Sequence, residues 1–364
     1  MPIIPPQATH GKGLPEINEP SYNYNYTVRE KALINKEIEA IQDKTLHTPL
    51  KTQSVGVKKG QKLKTFTKIW AGGPVPRLDK LAFTVPVTDI THRKHILETM
   101  VHLKKDISNF DKHISEPNDS KAYRHAFNYR TPHKNLIRIE FAPYKPSINF
   151  IRVECNPRAL AKHGETTYLT GLVKDLFADE LDLSEINISR LDICVDIAVP
   201  VSSVAVYVPG YKVAKVFKDA GGAIQTHYLG TQQSKIQYCI YNKTAEALSK
   251  GVIVGKEITR VECRLKHVKV SDLLDLNPFE KLQLYVCSPL VGTKDFVWKW
   301  FLDRVMSQGL VVTLAEMPPQ DQKLYRNRLS EYTAAWWDPI ALYDAYRAEI
   351  ANLITILSGV TEGY

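Results

Sequence analysis

The sequence predicts an α+β fold in which helices cover one face of a largely antiparallel sheet and a helical region follows at the C-terminal end. Strand-like and helix-like segments succeed one another in the order β-α-β-β-α-β-β-β, which is typical of such domains. The strand-like segments alternate apolar and polar residues, so each offers one face to a core. With 364 residues, 44% of them hydrophobic, the chain can bury one large core or two modest ones.

Three regions are predicted. Residues 1–75 form a flexible basic leader, because they are rich in Pro, Asn, Lys and Thr and contain no acidic residue between Lys44 and Lys68. One helix is expected near Val28–Asp43. Residues 76–289 form the sheet domain, and residues 290–364 form a helical C-terminal region.

In the first half of the sheet domain, apolar β-prone runs and one helical spacing define the elements. The helix is indicated by Ile96, Met100, Leu103 and Ile107, which recur every three to four residues. The sequence PYKPS is a natural turn between two strands. The predicted elements are a strand at Arg77–Val87, a helix at Asp89–Phe110, strands at Asn135–Ala142 and Ile148–Cys155, and a helix at Gly164–Leu181.

The second half contains more strands and then changes to helices. Strands are predicted at Ile186–Val201 and Glu257–Lys266, with a hairpin around Thr226–Tyr241 between them. Helices are predicted for SDLLDLNPFEKLQLYV, for KDFVWKWFLDRVMSQ and for the amphipathic stretch Gln320–Leu357.

Charge and cysteine usage narrow the class of protein. The 48 Lys and Arg exceed the 39 Asp and Glu by nine, which favours a polyanionic partner such as nucleic acid. Five scattered cysteines without a C-x-x-C pair indicate a reducing compartment. With no signal-peptide pattern and no long apolar run, a cytoplasmic protein without a membrane span is expected.

Alternation along three predicted strands places chemically active side chains on one sheet face, here called the polar face. In SRLDICVDI the polar side chains alternate with an apolar set, and its two Asp lie four residues, roughly 13 Å, apart along the strand. TRVECRLK and IQYCIYNK alternate in the same way. The side chains assigned to the polar face are Arg190, Asp192 and Asp196; Arg260, Glu262, Arg264 and Lys266; and Tyr241 and Lys243.

Such a set suits phosphodiester transfer. Carboxylates bind a hard divalent cation that polarises a phosphate, basic groups offset charge on its oxygens, and a tyrosine can retain the phosphoryl group as an ester. Cross-strand salt bridges on a solvated sheet are the alternative for each acidic residue taken singly.

Four segments resemble the replication initiation factors of filamentous phages and rolling-circle plasmids, the Rep_trans family. They are RLDKLAFTV, SRLDICVDI, THYLGTQQSKIQYCIYNKTAE and TRVECRLK, and together they span about half the chain. The third is the most specific, since Gly230, Ser234, Tyr241, Lys243 and Glu246 fall where the family pattern has them. The resemblance implies a sheet related to HUH nicking endonucleases with ferredoxin-like elements, although the chain contains no His-hydrophobic-His motif.

The resemblance also implies an activity: a rolling-circle initiator that nicks one origin strand, keeps the 5′-phosphate on tyrosine, frees a 3′-OH primer and later rejoins the strands. Tyr241 is then the nucleophile and Lys243 its phosphate-side partner. Mg²⁺ or Mn²⁺ is the expected cofactor, with Asp192, Asp196, Glu262 and His227 as ligand candidates. DNA contacts are expected from Arg190, Arg260, Arg264, Lys266, Gly230 and Ser234.

The implied partners are the double-stranded origin, the single-stranded nick site and the host replication machinery. Tyr238 lies on the other strand face from Tyr241, so a single nucleophile per subunit is expected and a homodimer is predicted for strand exchange. Three other functions compete. One is a sequence-specific DNA-binding protein without nicking activity, and another is a water-using phosphodiesterase. The third, a tyrosine recombinase, requires a His-x-x-Arg motif that is absent.

Overall fold

The computed structural model describes residues 74–87, 89–105, 113–115, 123–143, 149–177, 181–252, 256–286 and 295–358. The strands are β1 (Pro76–Pro86), β2 (His113–Ser115), β3 (Tyr123–Arg130), β4 (Leu136–Pro143), β5 (Phe150–Cys155), β6 (Asn187–Ile197), β7 (Val204–Tyr207), β8 (Ala214–Lys218), β9 (Ile224–Leu229), β10 (Ile236–Asn242), β11 (Thr259–Leu265), β12 (Val268–Lys269) and β13 (Gln283–Val286).

The helices of the described residues are distributed around these strands. They are α1 (Ile90–Lys105), α2 (Pro157–Lys162), α3 (Thr166–Phe177), α4 (Lys243–Ser249), α5 (Phe296–Gln308), α6 (Leu310–Ala315), α7 (Pro319–Ser330) and α8 (Pro339–Leu357). None of them combines the length and the apolar character that crossing a membrane requires.

One large antiparallel sheet organises the fold and confirms the predicted α+β class. Its strand order is β2-β3-β4-β5-β1-β6-β11-β10-β9-β8, with β12 paired to β6. The order places β6, β11 and β10, the three strands with the predicted site residues, side by side. Within β1 a register shift between Leu78 and Lys80 marks a bulge at Asp79.

Burial separates the two faces of this sheet. Apolar side chains such as Phe83, Ile193 and Val261 are fully buried, in one core cluster that also includes residues of α1, α3 and α8. The polar face carries arginine–glutamate pairs on β4 and β5 as well as the charged residues of β6 and β11. Alternation in the sequence therefore reports correctly which side chains enter the core.

The C-terminal helices pack in two places. α8 lies beyond the predicted domain boundary at residue 290, yet it contacts β1 and α3, and its Tyr346 and Ile350 are fully buried in the main core. Trp298, Phe301 and Leu314 form a second cluster against Ala205 of β7. The small sheet of β7 and β13 thus links the helical region to the sheet domain.

Several predicted elements need correction. The stretch SDLLDLNPFEKLQLYV is not a helix: it forms a 3₁₀ turn at Val270–Asp272, further turns and the strand β13. The stretch Gln320–Leu357 divides into α7 and α8, because Pro339 begins a new helix that the Asp338 side chain caps. Strands β3, β7 and β8 were not predicted. The leader and its expected helix lie outside the described residues.

Candidate active site

Strand register assembles the predicted site on the polar face. Across β10, β11 and β6, Tyr241 stands opposite Arg260, and Arg260 stands opposite Asp196. Two residues further along the strands, Cys239 of β10 stands opposite Glu262 of β11. Two residues beyond that, Arg264 of β11 stands opposite Asp192 of β6. Because opposite residues share a face, these side chains form one continuous surface over three strands.

Tyr241 lies in a cleft on this surface with a volume of about 370 Å³. Its lining includes Tyr228, Tyr241, Glu246, Glu262 and Arg264. Burial raises the pKa of the Tyr241 hydroxyl, Glu262 raises it further, and Arg260 opposes both. The hydroxyl is therefore protonated at neutral pH, and it can become a nucleophile only when bound positive charge or a base offsets that cost.

Asp192 and Glu262 form a buried acidic pair in the same surface, with exposures of 4% and 5%. Asp192 accepts two hydrogen bonds from Arg190, at 2.8 Å and 2.5 Å, and Glu262 accepts one from Arg264 at 2.5 Å. Burial and the neighbouring Asp192 carboxylate raise the pKa of Glu262. Two carboxylates under such mutual repulsion are suited to share a divalent cation, and their oxygens fit Mg²⁺ or Mn²⁺.

Asp196 has a different environment from Asp192. Both of its oxygens accept hydrogen bonds from Arg260, at 2.6 Å and 2.9 Å, and Arg260 also donates to Asp79 at 3.0 Å. Burial raises the pKa of Asp196, but Arg260 outweighs this effect and lowers it overall. Asp196, a predicted metal ligand, thus forms an ion pair with Arg260, the residue that stands opposite Tyr241.

Lys243 begins helix α4 immediately after β10. Its Nζ lies 6.0 Å from the centroid of the Tyr241 ring and pairs with Glu246. The Asn242 side chain accepts a hydrogen bond from the backbone N–H of Ala245 at 2.9 Å and so caps the helix. This cap fixes the point at which the chain leaves the sheet and keeps Lys243 beside the tyrosine.

The structure places His227, a predicted metal ligand, on the opposite face of the sheet from the other candidate ligands. His227 pairs with Ile240 in the hairpin, whereas Thr226 pairs with Tyr241, so the imidazole points to the apolar face. It is 4% exposed, its Nε2 has no hydrogen-bond partner, and burial lowers its pKa to about 4. The sheet itself separates this ring from Asp192 and Glu262.

Three residues that were predicted to contact DNA stabilise the hairpin turn between β9 and β10. Gly230 has φ +87°, and a Cβ there would lie 2.7 Å from Cε1 of Tyr211. The Ser234 hydroxyl oxygen accepts a hydrogen bond from the Thr231 N–H at 2.9 Å, and Lys266 donates to the carbonyl of Gln232 at 2.5 Å. DNA contact by these residues stays a prediction.

Two aromatic residues of the polar face, Phe217 and Tyr228, were not predicted from the sequence. Phe217 on β8 is 54% exposed, and its ring meets that of Tyr228 edge to face with centroids 5.7 Å apart. The Arg264 guanidinium lies 5.7 Å from the centroid of Tyr228. Thr226 pairs with Tyr241, so Tyr228, two residues further along β9, lies on the same face. The sequence alone does not give this register and therefore did not identify Tyr228.

Comparisons with known proteins leave the family open. No protein-family model matches the chain, and no curated protein matches it. Among solved structures, it is similar to one described as a rolling circle replication initiator protein from Geobacillus stearothermophilus, with 17% identity and a TM-score of 0.36. That match covers 64% of this chain and 97% of the other. A likeness at this level carries no argument about function.

Proposed function

We propose that the chain is a DNA-nicking and DNA-joining enzyme that initiates rolling-circle replication, with Tyr241 as its nucleophile. The observation that carries this proposal is the cleft that Tyr241, Glu262 and Arg264 line together, with Lys243 and Arg260 beside the tyrosine. A nucleophile, a paired carboxylate site and basic groups are the parts that phosphoryl transfer requires.

In the proposed step the Tyr241 oxygen loses its proton and attacks a phosphorus of single-stranded DNA. The new bond joins the phenolic oxygen to the 5′-phosphate, and the bond from phosphorus to the 3′ oxygen breaks. That oxygen takes up a proton and becomes the 3′-OH primer. Attack by a 3′-OH on the phosphotyrosine reverses the step and joins the strands, and the phenolate oxygen leaves as Tyr241 regains its proton.

The protein's own charges support each part of this step. Burial raises the pKa of Tyr241 and Arg260 opposes that rise, while Lys243 and Arg264 lie where they can offset the negative phosphate. Asp192 and Glu262 would hold Mg²⁺ or Mn²⁺, which when bound polarises the phosphate. Arg190 and Arg264 keep the two carboxylates oriented.

Single-stranded DNA is the substrate that the surroundings of the cleft favour. Tyr228 lines the cleft with a partly exposed ring, and the exposed ring of Phe217 contacts it. Bases stack on such rings without regard to sequence. The net charge of +9 favours the same polyanion. Binding of the duplex origin, recruitment of the host replication machinery and a homodimer belong to the same proposal.

The test uses a labelled single-stranded library of randomised sequence with Mn²⁺ and the full-length protein. Wild type is expected to give a protein–DNA adduct that resists denaturation and is lost under EDTA. Tyr241→Phe is expected to abolish it. The control is Tyr123→Phe, which makes the same change at a partly buried tyrosine of β3.

Two results contradict the proposal. Cleavage that survives Tyr241→Phe identifies a phosphodiesterase that uses water. Tight binding of DNA without any cleavage identifies a DNA-binding protein.

A further inference from the structure

A second cluster of metal-ligating side chains lies on a different part of the sheet from the cleft. It joins the turn between β3 and β4 to the turn between α2 and α3, and its members are His133, His163 and Glu165. Strands β5, β1, β6 and β11 separate β4 from β10, which carries Tyr241. The cluster is therefore independent of the proposed nicking site.

Glu165 is the buried member of the cluster, with an exposure of 3%. Its Oε2 accepts hydrogen bonds from the Thr131 hydroxyl at 2.5 Å and from Asn135 Nδ2 at 2.6 Å. Its Oε1 accepts one from the backbone N–H of His133 at 2.9 Å. These three hydrogen bonds fix the orientation of the carboxylate.

The Glu165 carboxylate contacts one of the two imidazoles directly. Among the described residues it pairs with neither a lysine nor an arginine, and its ion-pair partner is the imidazole of His133, with Nδ1 2.9 Å from Oε1. Nδ1 of His133 and Oε1 of Glu165 are thus already adjacent, as two ligands of one metal ion must be.

Two exposed imidazoles lie beside that carboxylate. The rings of His133 and His163 are stacked, with centroids 4.6 Å apart and planes within 10°. One ligand atom from each of the three side chains lies within 4.8 Å of the other two. Nδ1 of His163 is 3.1 Å from Nδ2 of Asn135, which also donates to Oε2 of Glu165.

We propose that His133, His163 and Glu165 bind a divalent transition-metal ion of the zinc type. Two imidazole nitrogens and one carboxylate oxygen are a donor set that Zn²⁺ prefers over Mg²⁺ or Ca²⁺. Thr131 and Asn135 already hold the carboxylate from behind, as hydrogen-bonding partners of a metal ligand do. The ion takes the place of the proton between His133 and Glu165, and the solvent side of the exposed rings leaves room for water.

Such an ion connects two turns that are distant in sequence. Lys134 and Gly164 both have positive φ, +63° and +67°, so neither turn is held by ordinary helical or extended backbone. Ion binding ties them together and raises the stability of the folded chain, since a ligand bound only by the native state stabilises it.

The experiment measures Zn²⁺ binding to chelator-stripped full-length protein by calorimetry and follows Co²⁺ loading by visible absorption. Wild type is expected to bind one ion at this cluster, with the intense absorption of a low-coordinate Co²⁺ site. His163→Ala and Glu165→Gln are expected to weaken binding by more than about 10-fold, the loss that changing a hydrogen-bonding partner of a ligand already produces.

Two controls separate this site from other binding. His102→Ala removes an exposed imidazole on α1, and Glu262→Gln alters the proposed nicking site; neither is expected to change the affinity of the cluster. Absence of Zn²⁺ uptake by wild type overturns the proposal, as does uptake that His163→Ala leaves unchanged. His163 is exposed, so its variant is expected to fold, and circular dichroism verifies this.

Discussion

Arg260→Gln is expected to destabilise the fold strongly, because this guanidinium holds two carboxylates. The Arg260 side chain is 4% exposed, and those of Asp196 and Asp79 are 26% and 29% exposed. Removing one partner of a buried ion pair costs about 3–5 kcal/mol. Since the carboxylates retain some contact with water, we expect the lower end of that range, about 3 kcal/mol at pH 7.

The same prediction has a pH dependence. The pKa of Asp196 is lowered in the folded protein, so the stability gained from its pairing is fully present well above the unfolded pKa of about 3.9 and is lost as the pH falls through the lower folded pKa. The difference in stability between wild type and Arg260→Gln should therefore begin to shrink below about pH 5 and continue to shrink at pH 3.

Urea denaturation of both proteins at several pH values measures this difference. Arg77→Gln is the control, because Arg77 pairs with Glu349 at 2.7 Å but is 47% exposed, and such surface pairs contribute about 0–1 kcal/mol. The reasoning is refuted if Arg260→Gln costs no more than Arg77→Gln, or if its cost is the same at pH 7 and pH 3.

Three further variants test other parts of the structure. Wild type should lose up to about 3 kcal/mol of folding stability between pH 6.5 and 4, since burial lowers the pKa of His227 to about 4. His227→Leu should not show this loss and should leave nicking intact; a pH profile in urea that matches wild type contradicts this. Gly230→Ala should cost about 1–3 kcal/mol in urea denaturation because strained backbone meets Tyr211. Gly222→Ala, with φ +84° and open space around the Cβ, should cost less, and equal losses would exclude the contact as the cause. Glu262→Gln should abolish adduct formation in the gel assay while the chain stays folded. Full activity of this variant would show that the Glu262 carboxylate is not needed for nicking.

Alternation along single strands predicted which side chains share the polar face. It placed Arg260, Glu262 and Arg264 on the face opposite Val261 and Cys263, as the structure has them. The reason is that side-chain direction within one strand is fixed by the pleat and needs no knowledge of neighbouring strands.

Relations between strands were harder to predict. The length of a hairpin turn sets the register, and a shift of one residue exchanges the two faces; His227 therefore ended on the apolar side although it lies in the same hairpin as Tyr241. Asp79 reaches Arg260 from a β-bulge that alternation does not reveal. The 271–286 segment has a helical spacing of apolar residues, but pairing of β13 with β7 overrides it.

The most direct test of the central claim is to locate the DNA on the protein. Trypsin is expected to release Ile236–Lys243, a peptide that contains both Tyr238 and Tyr241. Tyr238 lies on the apolar face with its hydroxyl donating to the carbonyl of Pro278 at 3.0 Å, so it is an internal control. Fragmentation of the adduct peptide by mass spectrometry should place a 5′-phosphorylated nucleotide on Tyr241. A nucleotide on Tyr238 or on any other residue, or one linked through its 3′-phosphate, would contradict the account.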